Sequence, residues 1–481
     1  MVAPQLTIAA AAIFLPLAFG REMPVNMQLK AKLYDNGARM GQILALKNQV
    51  WDEQRQLGVF DTTQYQRLQT EEPFIACKNG TAAYVAGDPK YTFKCSNIDL
   101  YDFKAHDELN STGSGAGSWG WTSPAGREFI AIAQEDGTAF AEVTSKGKLV
   151  YLGRLPQYYK AEESLWREIK GYKSYIIIGS EAKDHGVQIF DLSKLLTVDP
   201  AKPVLFSSEH DLTAHWTEGL PAGRSHNVVT NEELSYGVAT GFSPRNGTLR
   251  AGLVFFDLTD PANPKTIGGT GADGYVHDAQ CLVYRGPDKK YFGHDVCYGY
   301  DEDSLTIFDV TDKKNVAIIS NTSYTGASYT HQGWVLDPAW QQFLITDDEY
   351  DEVDEVGDAK DGYPISYIWD ISSLAAPKQT GHYKGLRRGI DHNQYVKDGF
   401  TYQSNYGLGL SVIDLRSVPS DPTGKSIKEA GFFDIHPEDD FLPGGGNVTF
   451  TGTWSNYPFF PSGFIVINTM DRGVFVVKRT A

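Results

Sequence analysis

One strand-like pattern returns seven times along this chain, and nothing else in the sequence restricts the fold so tightly. It reads GTAFAEV from residue 137, GVQIFDL from 186, GLVFFDL from 252, SLTIFDV from 304, ISYIWDI from 365, GLSVIDL from 409 and GVFVVKR from 473. The starts lie 44 to 66 residues apart, the period of a repeat made of several strands and uneven loops. An apolar run precedes each copy (REFIAIA, SYIIIGS, SYGVATG, HDVCYGY, QQFLITD, GFTYQSN, GFIVINT), and another follows most of them, as in VYLGRLP, PKTIGGT and VAIISNT. A further strand, headed by His or Trp, stands before both. Four antiparallel strands in seven copies predict an all-β fold, a seven-bladed β-propeller. The last copy stops after its third strand. The stretch NIDLYDFKAH (97–106), just ahead of the first copy, is therefore predicted to close the ring as the missing outer strand and remove an exposed edge.

Five copies carry Asp at their sixth position: Asp191, Asp257, Asp309, Asp370 and Asp414. Turn sequences such as DLTDPANP follow, so these aspartates read as side-chain caps of turns and not as catalytic groups.

The innermost strand of a propeller blade lines the central channel, and its head opens on the same face as the end of the second strand. Taken in blade order, the heads are Trp119; Trp166, Arg167 and Glu168; His226 and Asn227; His277 and Asp278; His331 and Gln332; His392 and Asn393; Trp454 and Ser455. Second-strand ends add Glu135, Glu181, Asp347, Asp348, Asn405 and Asp471. Four histidines from consecutive blades thus converge on one channel mouth. Imidazoles among carboxylates suit a divalent metal such as Zn²⁺, Mn²⁺ or Fe²⁺, with His226, His277, His331 and His392 as ligands. Arg167, Glu168, Glu181 and Asp347 are the catalytic candidates, and Trp119, Trp166, Tyr406 and Trp454 are candidates to stack on a substrate. A metal-free site also fits, with His as proton acceptor and Arg167 holding an acidic sugar. So does a ring of polar side chains that satisfy one another, with the aromatics as core.

The first twenty residues, MVAPQLTIAAAAIFLPLAFG, read as a secretory signal peptide (1–20) ending in a small-x-small pattern. Residues 21–75 show helix-like spacing of Leu, Ile and Trp interrupted by Gly, and predict a short N-terminal helical extension, either kept or removed in maturation. The propeller is assigned to 76–481. Sequons at Asn79, Asn110, Asn246, Asn321 and Asn447 predict a secreted, extracellular glycoprotein. Four cysteines allow three pairings, of which the local one, Cys77–Cys95 and Cys281–Cys297, is simplest; neither pair has metal-type CxxC spacing. A net charge of −17 without a basic patch argues against nucleic acid or an anionic membrane as partner. The acidic run DDEYDEVDEVGDAKD (347–361) lacks the ligand order of an EF-hand loop and reads as solvated loop.

From CKNGTAAYVAGDPKYTFKCSNIDLYDF onward the chain resembles the choice-of-anchor B family of LVIVD-repeat propellers. SWGWTSPAGREFIAIAQEDGTAFAEV, YVHDAQCLVYRGP, YTHQGWVLD, IDHNQYV, SNYGLGL and TWSNYPFF carry the likeness, which spans roughly four-fifths of the sequence. That family is named for varied C-terminal anchors. This chain ends FVVKRTA, so the resemblance implies a freely secreted, fungal-type member. It implies fold and location, and no activity. Two functions are then expected of such a site: a metal-assisted hydrolase or lyase on an extracellular polymer, or a non-catalytic propeller that binds glycans or proteins.

Overall fold

The repeated runs are rich in β-branched and aromatic side chains and are broken at each end by Gly, Asp or Pro, which is the composition of short strands joined by tight turns. The computed structural model describes residues 21–65, 67–68, 73–162 and 164–480; the expected signal peptide lies outside the described residues. Each repeat forms one sheet built on four antiparallel strands, and the described residues hold seven such sheets, the first with Val204–Leu205 added in parallel. The inner strands, in order, are Gly115–Thr122, Arg167–Tyr172, Asn227–Asn231, Asp278–Val283, Thr330–Val335, Gln394–Lys397 and Thr453–Tyr457. Each touches the next, and the seventh returns to the first, so the sheets form a closed ring. The protein is a seven-bladed β-propeller.

The ring closes where Gly473–Arg479 pairs antiparallel with Ile98–Ala105, Phe475 standing opposite Phe103 with ring centroids 4.6 Å apart. Other outer edges are covered as well. Glu22–Pro24 adds to Ala317–Tyr324 of blade four, and Thr92–Ser96 adds to Lys428–Phe433 of blade six. All five repeat aspartates accept a backbone N–H two residues on, at 2.8–3.1 Å, and so are turn caps.

Both local disulfides form, Cys77–Cys95 and Cys281–Cys297. They fit an oxidising, extracellular environment. No helix among the described residues is long and apolar enough to cross a membrane. The second bridge joins directly opposed residues of the first two strands of blade four. Replacing both Cys281 and Cys297 by Ala is expected to lower unfolding free energy by about 2–4 kcal/mol, read from denaturant titration. An unchanged midpoint would show that the sheet holds this pair of strands without the bridge. Of the sequon residues, Asn79, Asn110, Asn246 and Asn447 are exposed. Asn321 is partly buried, and its amide nitrogen donates to the buried Asp273.

The N-terminal extension is helical over Ala38–Gln56, and it lies across the face on which the inner strands begin. Its buried stripe is Arg39, Ile43, Lys47 and Trp51, a four-residue spacing that puts all four on one side. Trp51 donates its indole N–H to the Phe450 carbonyl at 2.8 Å, and Tyr350 donates to the Ile43 carbonyl at 3.2 Å. The helix is therefore a fitted cover on the channel mouth. Its two buried cations, invisible to a search for apolar periodicity, reach acids beneath: Arg39 to Asp354 and Lys47 to Glu349.

Candidate functional site

The four histidines stand in sequence around the covered mouth. Ring centroids are 4.1 Å apart for His226 and His277, 4.4 Å for His277 and His331, and 4.4 Å for His331 and His392. Each ring has Nδ1 turned outward. His226 Nδ1 donates to Glu181 at 2.5 Å, His277 Nδ1 lies 3.0 Å from the Tyr329 hydroxyl, and His392 Nδ1 donates to the Trp454 carbonyl at 2.8 Å. His331 Nδ1 faces Asp347 at 3.5 Å, beyond hydrogen-bond geometry. The Nε2 atoms consequently point inward. Those of His226 and His277 are 3.2 Å apart, while those of His331 and His392 lie 4.0 and 3.7 Å from the Glu349 carboxylate.

Glu349 is the member that blade-head counting missed. It is fully buried and receives Lys47 Nζ at 2.6 Å and the Tyr406 hydroxyl at 2.5 Å on one oxygen, while the other oxygen has no partner among the described residues. A signal for it was present: alternation along the strand puts Asp347 and Glu349 on one side and Asp348 on the other. His331, His392 and Glu349 have ligand atoms within 4.8 Å of one another, so the tightest metal-type group is two histidines and a carboxylate rather than three histidines. Burial, then neighbouring imidazoles and Lys47, holds His277 and His331 well below the usual imidazole range. Burial also brings His392 down to about 4, although Glu349 opposes it. These rings are neutral at physiological pH, as ligands must be. Burial works against ionisation of Glu349, but the charge and hydrogen bond of Lys47 and the Tyr406 hydrogen bond oppose it, leaving a carboxylate.

Several sequence-based assignments change. Arg167 does not face the channel. It is buried between blades one and two, donating to the Gln134 carbonyl at 3.0 Å and lying 2.6 Å from His185 Nε2, and burial brings its guanidinium down to about 10. It cannot hold a substrate carboxylate. Glu168 accepts the Trp454 indole N–H at 2.5 Å and braces that ring, and burial raises its carboxyl. Asp347, raised well above the usual range by burial, already accepts Gln332 N–H at 2.8 Å and Gln394 Nε2 at 2.9 Å; it props the wall. Of the four catalytic candidates, Glu181 is the one that hydrogen-bonds a channel-mouth histidine, His226, and it is partly exposed at the rim. Trp166 and Trp454 are at the covered mouth, Trp166 packing on Trp51 at 5.1 Å and Trp454 edge-on to His392 at 4.9 Å. Tyr406 joins them with a left-handed backbone (φ +43°), a strained conformation held by its bond to Glu349. Trp119 is elsewhere. The head of the first inner strand is at Ser114 and Gly115, where the Glu135 N–H bonds the Ser114 carbonyl as the Glu181 N–H bonds the Trp166 carbonyl, so Trp119 lies further along the strand, toward the opposite end of the channel beside Tyr395, Tyr457 and Phe459.

The residues that follow each histidine form a satisfied polar floor: Gln332 Nε2 donates to Asp278 at 3.0 Å, Gln394 N–H to Gln332 at 2.5 Å, and Asn393 to the Trp454 carbonyl at 2.9 Å. The first part of the acidic run is not solvated loop, although Asp354, Glu355 and Asp361 are exposed as expected. Asp347 to Glu352 are buried beneath the helix. Asp348 accepts N–H groups of Ser328 and Tyr329 at 2.8 and 2.7 Å and the Tyr324 hydroxyl at 2.8 Å, which pulls the run inward.

No protein-family model matches this chain, and no curated protein matches it. The choice-of-anchor B likeness therefore stays a resemblance. Among solved structures, the β-propeller domain of Cps50 (Swd1) from Myceliophteria thermophila is similar at 11% identity and a TM-score of 0.43, over 73% of this chain and 94% of that one. The propeller assignment rests on the strand pairing itself.

Proposed function

We propose that this protein is an extracellular metal-dependent enzyme, a hydrolase or lyase acting on a secreted polymer, with its centre at His226, His277, His331, His392 and Glu349. The observation that carries the reading is the common orientation of the four rings, with Nδ1 anchored or faced from outside and Nε2 turned inward. Outer partners of this kind set the tautomer and aim of metal-ligating histidines. Two His and one Glu with further nitrogens nearby suit Zn²⁺, Mn²⁺ or Fe²⁺. A bound divalent cation supplies Lewis acidity toward a substrate oxygen or water. Around it, Tyr406 would orient Glu349, the Trp454 carbonyl would orient His392, and Glu181 at the rim would orient His226.

Elemental analysis of protein purified without chelator, before and after dialysis against each metal, tests this. About one equivalent per chain is expected, and less than a tenth of that in His331→Ala/His392→Ala with unchanged strand content. Absence of tight metal in the parent and in a Lys47→Met variant would sink the metal reading. A binding propeller would then be the better account, and one observation favours it: the opposite channel mouth holds a cavity of about 500 Å³ lined by Trp119, Trp334, Tyr457, Phe459 and Lys170. Such a lining suits the faces of sugar rings.

A further inference from the structure

We propose that Asp351, Glu352 and Asp391 form a second cation site, separate from the histidine centre and suited to calcium. Asp351 and Glu352 follow the second strand of blade five, Phe343–Asp348, and Asp391 stands just before the inner strand of blade six, Gln394–Lys397. Strand ends and strand heads open on one face, so adjacent blades bring the three acids together. They are 0%, 2% and 0% exposed, and their ligand oxygens lie within 4.8 Å of one another.

What singles them out is the contrast with the acids beside them. Asp347 and Asp348 accept several hydrogen bonds, Glu349 has Lys47 and Tyr406, and Asp354 has Arg39 and Ser328. In the trio, the Tyr367 hydroxyl donates to one oxygen of Asp351 at 2.6 Å. The other five oxygens are buried without a partner among the described residues: Asp351 Oδ1, both of Glu352 and both of Asp391. No Lys, Arg or His forms an ion pair with any of the three among the described residues. Buried carboxyl groups without a protein counter-charge must be neutralised by protons or by a cation from solution.

An all-oxygen set selects a hard cation over the borderline metals that imidazole prefers. Calcium–oxygen distances of about 2.3–2.6 Å put oxygens on opposite sides of one ion about 5 Å apart, which matches the spread of the trio. Its loose geometry also accepts three carboxylates from two blades, where magnesium demands a near-regular octahedron. The ion would clamp blade five to blade six and neutralise Asp351, Glu352 and Asp391.

Equilibrium dialysis of the full chain against ⁴⁵Ca²⁺ at pH 7.5, with differential scanning calorimetry, decides the matter. One calcium per chain is expected, with a dissociation constant of about 1 mM or below. Saturating CaCl₂ is expected to raise the melting temperature by about 3 °C or more. Glu352→Gln/Asp391→Asn is expected to lose binding and the calcium shift, while melting no lower than calcium-free parent, because amides need no counter-ion. His331→Ala/His392→Ala is expected to keep calcium, which separates this site from the histidine centre. No bound calcium on the parent at 5 mM would overturn the proposal in favour of protonated carboxyls, whether or not the amide variant folds. Stoichiometric calcium on a folded amide variant would overturn it too.

Discussion

Deleting Ile98–Ala105 is expected to abolish soluble monomer. This strand is the outer edge of blade seven, although it precedes blade one in sequence, and its pairing with Gly473–Arg479 turns an open chain of sheets into a ring. Ile98, Leu100 and Phe103 are 0%, 0% and 2% exposed. At about 1.5–3 kcal/mol for each buried apolar side chain, their loss removes about 5–9 kcal/mol. A whole domain is stable by only about 5–15 kcal/mol, so the deletion consumes most of the margin. It also bares Gly473–Arg479 as an edge able to pair with another molecule. Size-exclusion chromatography with light scattering should find aggregate or no protein. Phe103→Ala, which keeps the backbone pairing, should cost about 3–5 kcal/mol in denaturant titration. A monomeric deletion variant with unaltered melting would show that the ring does not depend on this closure.

Lys47→Met is expected to weaken the metal-free protein and strengthen its grip on metal. The Lys47 ammonium lies 2.6 Å from Glu349, and the two side chains are 5% and 0% exposed. Removing one partner of a buried pair leaves the other charge uncompensated, at a cost of about 3–5 kcal/mol. The same ammonium opposes a divalent cation at His331, His392 and Glu349. Like charges about 4 Å apart repel by about 4 kcal/mol per unit charge at an effective dielectric constant near 20, so relief of that repulsion should tighten zinc by about a hundredfold or more. Competition with a chromophoric chelator gives the affinity, and melting with and without zinc gives the stability. If zinc binds the variant no tighter than the parent, Lys47 is not the competitor, and the helix covers a site it does not neutralise. If both effects appear, Ala38–Gln56 is a cover whose Lys47 competes with the metal for Glu349.

The seven copies of one strand pattern, the capping aspartates, the two local cysteine pairs and the closing strand were all legible in the sequence. These features repeat at short range: alternation places a side chain on one face of a strand, a turn cap acts two residues away, and a repeat counts blades. The same reasoning put His226, His277, His331 and His392 on one mouth, because equal register in consecutive blades means equal height in a ring. What decides how that mouth works was not legible. Lys47 meets Glu349 across 302 residues of sequence, and no local pattern marks a lysine in a helix as the partner of an acid in a run that looks like solvated loop. Arg167 and Trp119 both lie on inner strands, yet Arg167 turns between blades, and Trp119 falls at the far end because its strand begins at Gly115 and not at the tryptophan. Sequence alone determined the ring and the histidines on its rim. Only the tertiary structure decided which acid completes the group, which helix covers it and which cation stands in the way, since these are contacts between surfaces that meet only after the ring has closed.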